Sequence, residues 1–215
     1  MKKIRHIYIL LFILFFVSNI SLSQEETLKF TNNIYDKNIH TVLLHQDGNQ
    51  LSYPILRLNS EEKLKLSFDD FSEDIQDYYY TIVHCNSNWT ESDLMQSEYI
   101  NGFFDNKLDD YKFSFNTSRN YTHYNLIFPE EILIPTLSGN YIIKIFKNNN
   151  QEEIVLIKRF MILDQKVNII SNIKRATLIN DRENKQEIDF TINHEGIYIA
   201  DPYMDIDVII KQNNR

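Results

Sequence analysis

The chain has 215 residues, of which 43% are hydrophobic and 24% charged, and its formal net charge is −8 at pH 7. An acidic surface repels phosphate backbones and anionic lipid, which argues against nucleic acid as a partner and against adsorption to a membrane. The single cysteine, Cys85, excludes an internal disulfide, so the fold must depend on its hydrophobic core.

The first 23 residues have the layout of a secretory signal peptide. A basic start, Met1–His6, precedes an uninterrupted apolar run from Ile7 to Val17, and small residues at Ser21 and Ser23 suit cleavage after Ser23. The run is shorter than the ~20 residues that a spanning helix needs, which argues against a membrane anchor. Cleavage would remove three cations and leave 192 residues of formal charge −11. We therefore expect an exported, soluble protein.

Apolar and polar residues alternate over most of the following chain, which is typical of strands with one buried and one solvated face. The predicted strands are His40–Gln46, Tyr53–Leu58, Lys63–Phe68, Tyr78–Asn86, Tyr111–Asn116, His123–Phe128, Tyr141–Phe146 and Glu153–Leu163. The predicted buried faces carry Leu64, Leu66 and Phe68, then Tyr111, Phe113 and Phe115, then Tyr141, Ile143 and Ile145. Asp47-Gly48 and Asn148–Asn150 are predicted hairpin turns. This pattern predicts an all-β fold, with an immunoglobulin-like β-sandwich over residues 24–163.

Between residues 86 and 110 the alternation disappears. This long connection holds four large aromatic residues, Trp89, Tyr99, Phe103 and Phe104. Structureless connections of this length are uncommon and are often functional. Two hypotheses remain open: the loop packs its aromatic residues over an open edge of the sandwich, or it presents them to a partner. A helical turn is predicted near Ser92–Gln96, with Thr90 or Ser92 as its cap.

After Leu163 the chain changes character. A polar break, Asp164–Lys166, precedes three predicted strands, Val167–Thr177, Glu187–His194 and Asp205–Gln212. Three strands bury little surface and leave unpaired edges. We therefore expect residues 164–215 to begin a second β-domain that is incomplete in this chain.

No arrangement of residues predicts catalysis. The four glycines are far apart, which argues against a phosphate-binding loop, and no two histidines have ligand spacing on one strand. His84 and Cys85 point to opposite faces of a strand, which favours a structural histidine beside a buried thiol. A calcium site at Asp69-Asp70 with Asp74 lacks a loop signature. The prediction is a protein that is not an enzyme and has no cofactor and no metal site.

Paired acids recur along the chain, and a pair of carboxylates in one cleft is what a glycosidase needs. The pairs are Glu61-Glu62, Asp69-Asp70, Asp109-Asp110 and Glu130-Glu131. Neighbouring residues on strands or turns face apart. We therefore interpret these pairs as solvated charge at turns.

Several longer strings are specific enough to identify a family. They are Leu51–Ile55, Leu66–Asp70, Asp77–Tyr80, His84–Asn86 ahead of Trp89, Gln96–Phe103, Phe113–Thr117, Tyr121–Tyr124, Ser138–Tyr141, Arg159–Met161, Arg175–Thr177 and Gln186–Phe190. From about Asn33 to its end, the chain resembles the plug protein of the type IX secretion system of Bacteroidota. Members of that family are longer than this chain, which agrees with an incomplete second domain.

The resemblance implies a periplasmic protein at the inner face of the outer membrane. There it would bind and seal the periplasmic opening of the translocon barrel, of the SprA type, without inserting into the membrane. Such a barrel, of ~36 strands, has a lumen that must be closed when idle. A preformed β-sandwich suits this task because docking orders little chain. On aromatic content alone, the predicted contact residues are Trp89, Tyr99, Phe103 and Phe104.

Two alternatives remain beside the plug hypothesis. A periplasmic immunoglobulin-like module that binds carbohydrate or peptide would use exposed aromatic residues equally well. An enzyme with an unrecognised site is supported only by the scattered acids and by His84, because no convergent set of residues can be named.

Overall fold

The computed structural model describes residues 29–72 and 74–210, which form mainly β-strands. The strands, numbered along the chain, are β1 (Asn33–Ile34), β2 (Ile39–Gln46), β3 (Ile55–Arg57), β4 (Leu64–Asp70), β5 (Tyr78–Cys85), β6 (Ile100–Gly102), β7 (Asp105–Lys107), β8 (Asp110–Phe113), β9 (Thr122–Phe128), β10 (Leu133–Pro135), β11 (Gly139–Lys147), β12 (Ile154–Leu163), β13 (Asn168–Arg175) and β14 (Gln186–Asn193). Helical turns occupy Gln96–Tyr99, Ile179–Asp181 and Pro202–Asp205. The predicted signal peptide, residues 1–23, lies outside the described residues.

Two sheets enclose the main core. The four-stranded sheet has the order β2–β4–β9–β8, with antiparallel neighbours throughout. The larger sheet has the order β1–β12–β11–β5–β7, and β3 joins it in parallel beside β12. Strands β6 and β10 form a separate two-stranded sheet, and β13 pairs with β14. The predicted all-β sandwich is confirmed.

The core between the sheets is built from the alternation that the sequence predicts on β4 and β11. Leu64, Leu66 and Phe68 are at most 1% exposed, and the inward residues of β11 are fully buried. The ring of Phe68 stacks on Tyr124 and meets Tyr78 edge-on, with centroids 5.3 and 5.4 Å away. Such interlocked aromatic rings add stability beyond the area they bury.

Two carboxylates that we interpreted as solvated turn charge serve inside the fold instead. Asp70 is 1% exposed and accepts a hydrogen bond of 2.8 Å from the hydroxyl of Tyr78. Glu130 accepts hydrogen bonds from the hydroxyl of Tyr80, at 2.9 Å, and from the amide of Asn106, at 3.0 Å. A buried phenol without an acceptor is destabilising, so each acid satisfies a tyrosine of the core. Burial and the adjacent carboxylate raise the pKa of both phenols.

The outer face of the larger sheet is covered, which corrects the prediction of a solvated face on β11. Ile142 and Phe146, expected in solvent, are fully buried. A second apolar cluster on this face consists of Val83, Cys85, Ile142 and Ile157, with Phe30, Trp89 and Ile154 packed against it. The chain before β1 and the turn after β5 therefore shield this face from water.

Strand β8 departs from the predicted burial. Tyr111 and Phe113 pair with the buried Tyr124 and Thr122 of β9, so they point to the core side of the sheet. They nevertheless remain 37% and 65% exposed, and Phe115, beyond the strand, is 93% exposed. The edge strand of the other sheet, β7, has only three residues.

The two predicted hairpin turns have different outcomes. Asn148–Asn150 connects the antiparallel strands β11 and β12, with left-handed φ angles of 54° and 53° at Asn148 and Asn149. Asp47-Gly48 also forms a tight turn, but β2 pairs with β4 and not with β3, the next strand in the chain. A turn sequence fixes the local reversal, whereas the partner of the strand depends on the rest of the core.

After Leu163 the chain forms a hairpin. The predicted strands Val167–Thr177 and Glu187–His194 are confirmed as β13 and β14, which pair antiparallel. The predicted strand Asp205–Gln212 is wrong over its described part, because Pro202–Asp205 is helical and residues 206–210 are not a strand. Proline is well suited to the first position of that helical turn. Residues 211 and 212 lie outside the described residues.

Candidate docking surface

The connection after β5 is structured, which corrects the prediction of a structureless loop. It contains the helical turn Gln96–Tyr99 and strands β6 and β7. The turn begins later than predicted, after Met95, whose N–H donates to the carboxylate of Glu98 at 2.7 Å. Ser92, a predicted cap, instead bonds the Nδ1 atom of His84 at 2.9 Å.

Strands β6 and β10 form a short two-stranded sheet with one buried and one exposed face. Ile100 and Leu133 point into the core and are 4% and 0% exposed. On the opposite face, Phe103 lies across from Ile132 and donates its N–H to the carbonyl of Ile132 at 2.8 Å. Ile134 follows Ile132 on this face by strand alternation.

We call the exposed apolar residues of this face, together with Phe104, which follows them in the chain, the apolar ribbon. Its members, with their exposed fractions, are Phe103 (69%), Phe104 (42%), Ile132 (39%) and Ile134 (40%). The hydroxyl of Thr81, on β5, donates to the carbonyl of Phe104 at 2.6 Å. This bond ties the ribbon to the larger sheet, so the surface is held in place before any partner arrives.

Gly102 allows the two strands of the ribbon to approach. Its φ angle is +109°, and a Cβ atom there would lie 2.2 Å from the carbonyl oxygen of Ile132. Any other residue would combine a left-handed backbone with a collision. The ribbon therefore depends on glycine at this position.

The structure brings together two of the four predicted contact residues, Phe103 and Phe104. Tyr99 is only 2% exposed and belongs to the main core, which removes it from any docking surface in this conformation. Trp89 packs on the second cluster, at the outer face of the larger sheet. All four residues were predicted from aromatic content alone. Phe103 and Phe104 are exposed, whereas Tyr99 packs in the main core and Trp89 packs against the second cluster.

Trp89 lies in the turn that follows β5. Its φ angle is +69°, and its N–H donates to the carbonyl of Asn86 at 2.9 Å. The guanidinium of Arg159 lies 4.4 Å from the centre of the indole ring, within the range of a cation–π contact. Trp89 and Arg159 thus cover the cluster that contains Cys85. Burial raises the pKa of this thiol to about 11.

Sequence reasoning missed Ile132 and Ile134. Their signal is the string Ile132-Leu133-Ile134, in which the outer residues share a face and the central one is buried. The string is too short to stand out as a strand, because a period of two needs several repeats to be recognised. Because this string pairs with β6, Ile132 and Ile134 are presented on the protein surface.

Acidic residues surround the ribbon in sequence. Residues 91–105 and 129–137 contain no lysine or arginine, and their acids are Glu91, Asp93, Glu98, Asp105, Glu130 and Glu131. In sequence, the apolar residues of the ribbon are therefore flanked by negative charge. A complementary surface would be apolar with basic residues at its rim.

A groove at the ends of β4 and β8 is the second surface feature. Its volume is about 660 Å³, and its walls include Phe71, Phe113 and Tyr121. The guanidinium of Arg119 lies 4.7 Å from the centre of the Phe71 ring. Ser72, Ser114, Asn120 and Thr122 add polar groups to the lining. Aromatic walls with hydroxyl and amide groups suit a polar ligand that has an apolar face.

The described residues contain neither a cluster of metal ligands nor a membrane-spanning helix. Within residues 29–72 and 74–210, no group of three or more His, Cys, Asp or Glu side chains is placed to hold a metal ion. None of the helices in the described part of the chain has the length and apolar character needed to span a bilayer.

Solved structures resemble this chain to different degrees. The crystal structure at 2.30 Å resolution of a hypothetical protein from Parabacteroides merdae aligns with a TM-score of 0.74 and 30% identity over 81% of this chain. The chain spans 44% of that protein. An alkylpurine DNA glycosylase from Pseudomonas fluorescens, bound to DNA containing an abasic site analog, aligns with a TM-score of 0.32 and 11% identity. The alignment covers 58% of this chain and 30% of the glycosylase chain, and this similarity is too weak to carry an argument.

Sequence comparison identifies the family. No match was found among curated proteins. The sequence profile of the type 9 secretion system plug protein 1st domain matches residues 39–164, which is more than half of the chain. This match covers the sandwich from β2 to the end of β12, including the apolar ribbon. The chain therefore belongs to the type 9 secretion system plug protein family.

Proposed function

We propose that this protein docks on the periplasmic opening of the type 9 translocon barrel and seals it, with the apolar ribbon as its contact surface. The ribbon is the observation that carries the proposal, because Phe103 exposes 69% of its surface on a backbone that is already ordered. A preformed apolar surface loses little conformational entropy on docking. Membership of the family supports a role in type 9 secretion and a periplasmic location, and no catalytic family is indicated.

The proposal also includes where the protein acts in the cell envelope. Cleavage after Ser23 would release the chain into the periplasm, where it acts at the inner face of the outer membrane. The partner is the barrel itself, and the protein does not insert into the lipid. The acids that flank the ribbon in sequence favour a docking site that is apolar at its centre and basic at its rim.

An affinity experiment tests the ribbon directly. Tagged protein is incubated with solubilised outer membranes, and the recovered translocon barrel is quantified by mass spectrometry. The variant Phe103→Ser/Ile134→Ser is expected to recover at least about tenfold less barrel, because polar hydroxyls replace the centre of the contact. The matched control is Leu51→Ser, which removes an equally apolar side chain that is 96% exposed on another loop. It is expected to behave as the wild type.

Two results contradict the proposal at different levels. If the ribbon variant keeps the wild-type circular dichroism and melting temperature and still recovers the full amount of barrel, the ribbon is not the docking surface. If the wild-type protein recovers no barrel, and the Parabacteroides merdae protein tested alongside does, the docking function requires sequence outside this chain.

The groove favours a second function, the binding of carbohydrate. Its three aromatic walls and four hydroxyl or amide groups are the features that stack on and hydrogen-bond to a sugar ring. Isothermal titration with oligosaccharides from the cell envelope tests this alternative. Saturable heat that disappears in Arg119→Ala/Tyr121→Ala would support it, and an absence of heat with every sugar would reject it.

A further inference from the structure

Strand β8 is the free edge of the four-stranded sheet. The N–H of Ser114 donates to the carbonyl of Tyr121 at 2.9 Å, which fixes the direction of the backbone groups along this strand. Backbone groups alternate in direction along a strand. Those of Asp110 and Lys112 therefore also point toward β9, whereas those of Tyr111 and Phe113 point to the open edge. This edge can accept one more strand.

The charges of β8 are complementary to themselves. Asp110 and Lys112 are exposed on the outer face of the sheet, on either side of Tyr111. Within the described part of the chain, neither has an ion-pair partner. If two copies of β8 lie antiparallel with a two-fold axis at Tyr111, each Asp110 faces Lys112 of the other copy. The backbone groups of the two Tyr111 residues then bond to each other, because both point to the open edge.

Two other registers of the same pairing are unfavourable. An axis at Lys112 places two lysines opposite each other, and an axis at Asp110 places two aspartates opposite each other. Like charges directly opposite destabilise a strand pair, whereas opposite charges stabilise it. Charge therefore favours the axis at Tyr111 over these two registers.

Aromatic side chains on the other face support the same axis. Tyr111 and Phe113 are exposed on the core side of β8. With the axis at Tyr111, Phe113 of each copy lies diagonally across from Tyr111 of the other. Diagonal neighbours are within reach of aromatic rings, so the pairing would cover apolar surface on this face.

We propose that β8 pairs with β8 of a second copy of this protein, about a two-fold axis at Tyr111, and joins two four-stranded sheets into one. The inference is independent of the proposed docking function, since the apolar ribbon is formed by β6 and β10. The contact is small, which places the dimer in the weak and reversible class.

Charge exchange tests this dimer. Sedimentation equilibrium of the whole protein is measured up to about 1 mM, because weak contacts dissociate at lower concentration. We expect the wild type to form a dimer and Asp110→Lys to weaken it by about tenfold, since two attractive pairs become repulsive. The double variant Asp110→Lys/Lys112→Asp restores both pairs and is expected to return within about threefold of the wild type.

The folding control is straightforward because both side chains are exposed, and circular dichroism verifies each variant. Recovery of the dimer in the double variant supports the proposed register, because association through any other surface would not respond to the exchange. A wild type that remains monomeric at about 1 mM overturns the proposal and leaves the edge to a strand of another protein. Equal association of the wild type and Asp110→Lys also overturns it.

Discussion

At the end of β5, His84 lies on the core side of the larger sheet, while Cys85, the next residue, lies on the outer side. The imidazole meets the ring of Tyr141 edge-on, with centroids 4.9 Å apart. A Cβ atom at position 139 would lie 2.5 Å from the Nε2 atom of His84, so Gly139 provides the space for the ring. Burial lowers the pKa of His84, and a hydrogen bond to the backbone of Ser138 only partly offsets this.

This lowered pKa predicts a dependence of stability on pH. The unfolded chain binds a proton at His84 near pH 6.5, whereas the folded protein does so only at lower pH. The free energy of unfolding should therefore fall as the pH is lowered from about 7 through this window, because protonation favours the unfolded chain. Urea denaturation of wild type and His84→Gln, measured at several pH values, should show a shallower slope in the variant.

The slope, and not the absolute stability, is the quantity to compare, because His84→Gln also changes packing against Tyr141. Carboxyl groups titrate near pH 4 and contribute little in this window. Identical slopes in the two proteins would show that His84 has the same pKa in the folded and unfolded states.

At the scale of elements, the apolar ribbon is positioned by backbone geometry. Strand β6 has three residues and pairs with three residues of β10. Each backbone hydrogen bond between them is therefore a large part of the pairing. Leu133 anchors the ribbon in the core, and the N–H of Thr136 donates to the carbonyl of Tyr99 at 3.0 Å at its end. The close approach at Gly102 is the point where a single substitution would disrupt the element.

Gly102→Ala is predicted to destabilise the protein by about 3 kcal/mol, because the methyl group adds a collision to a strained φ angle. Gly48→Ala is the matched control. Its φ angle of +80° is also left-handed, but no atom lies within 4 Å of its added Cβ. The control should cost only about 1 kcal/mol, which is the strain alone. Chemical denaturation of both variants measures the difference, and equal values would mean that the ribbon relaxes around the methyl group.

At the scale of the whole molecule, we expect charge to influence the rate of the proposed docking. The formal charge of the chain is −8, and the sequences on both sides of the ribbon carry acids without bases. Long-range attraction to a basic docking site speeds association and is screened by salt. Short-range apolar contacts govern dissociation and depend less on salt.

The rate of association with purified translocon should therefore fall about tenfold between roughly 0.05 and 0.5 M NaCl, with little change in the dissociation rate. Surface plasmon resonance measures both rates. Glu131→Lys, beside the ribbon, should reduce the salt dependence more than Glu183→Lys, another exposed site elsewhere in the chain. A salt-independent association rate would contradict an electrostatic contribution to docking.

The end of the family match divides the chain into two parts. The family match ends at residue 164, one residue after β12, and the hairpin of β13 and β14 follows it. Ile169, Ile170 and Ile173 of β13 are each more than half exposed. The division into residues 24–163 and 164–215 stays a prediction, as does the incomplete second domain.

The sequence by itself determined most of the long strands and which face of β4 is buried, because alternation is a local property of the chain. It also determined the family, through strings that extend across the sandwich. It did not determine that β2 pairs with β4, that Tyr99 is buried while Phe103 is exposed, or that Tyr111 and Phe113 lack cover. Only the tertiary structure decided these points, because each depends on what lies opposite a residue, and that neighbour comes from a distant part of the chain.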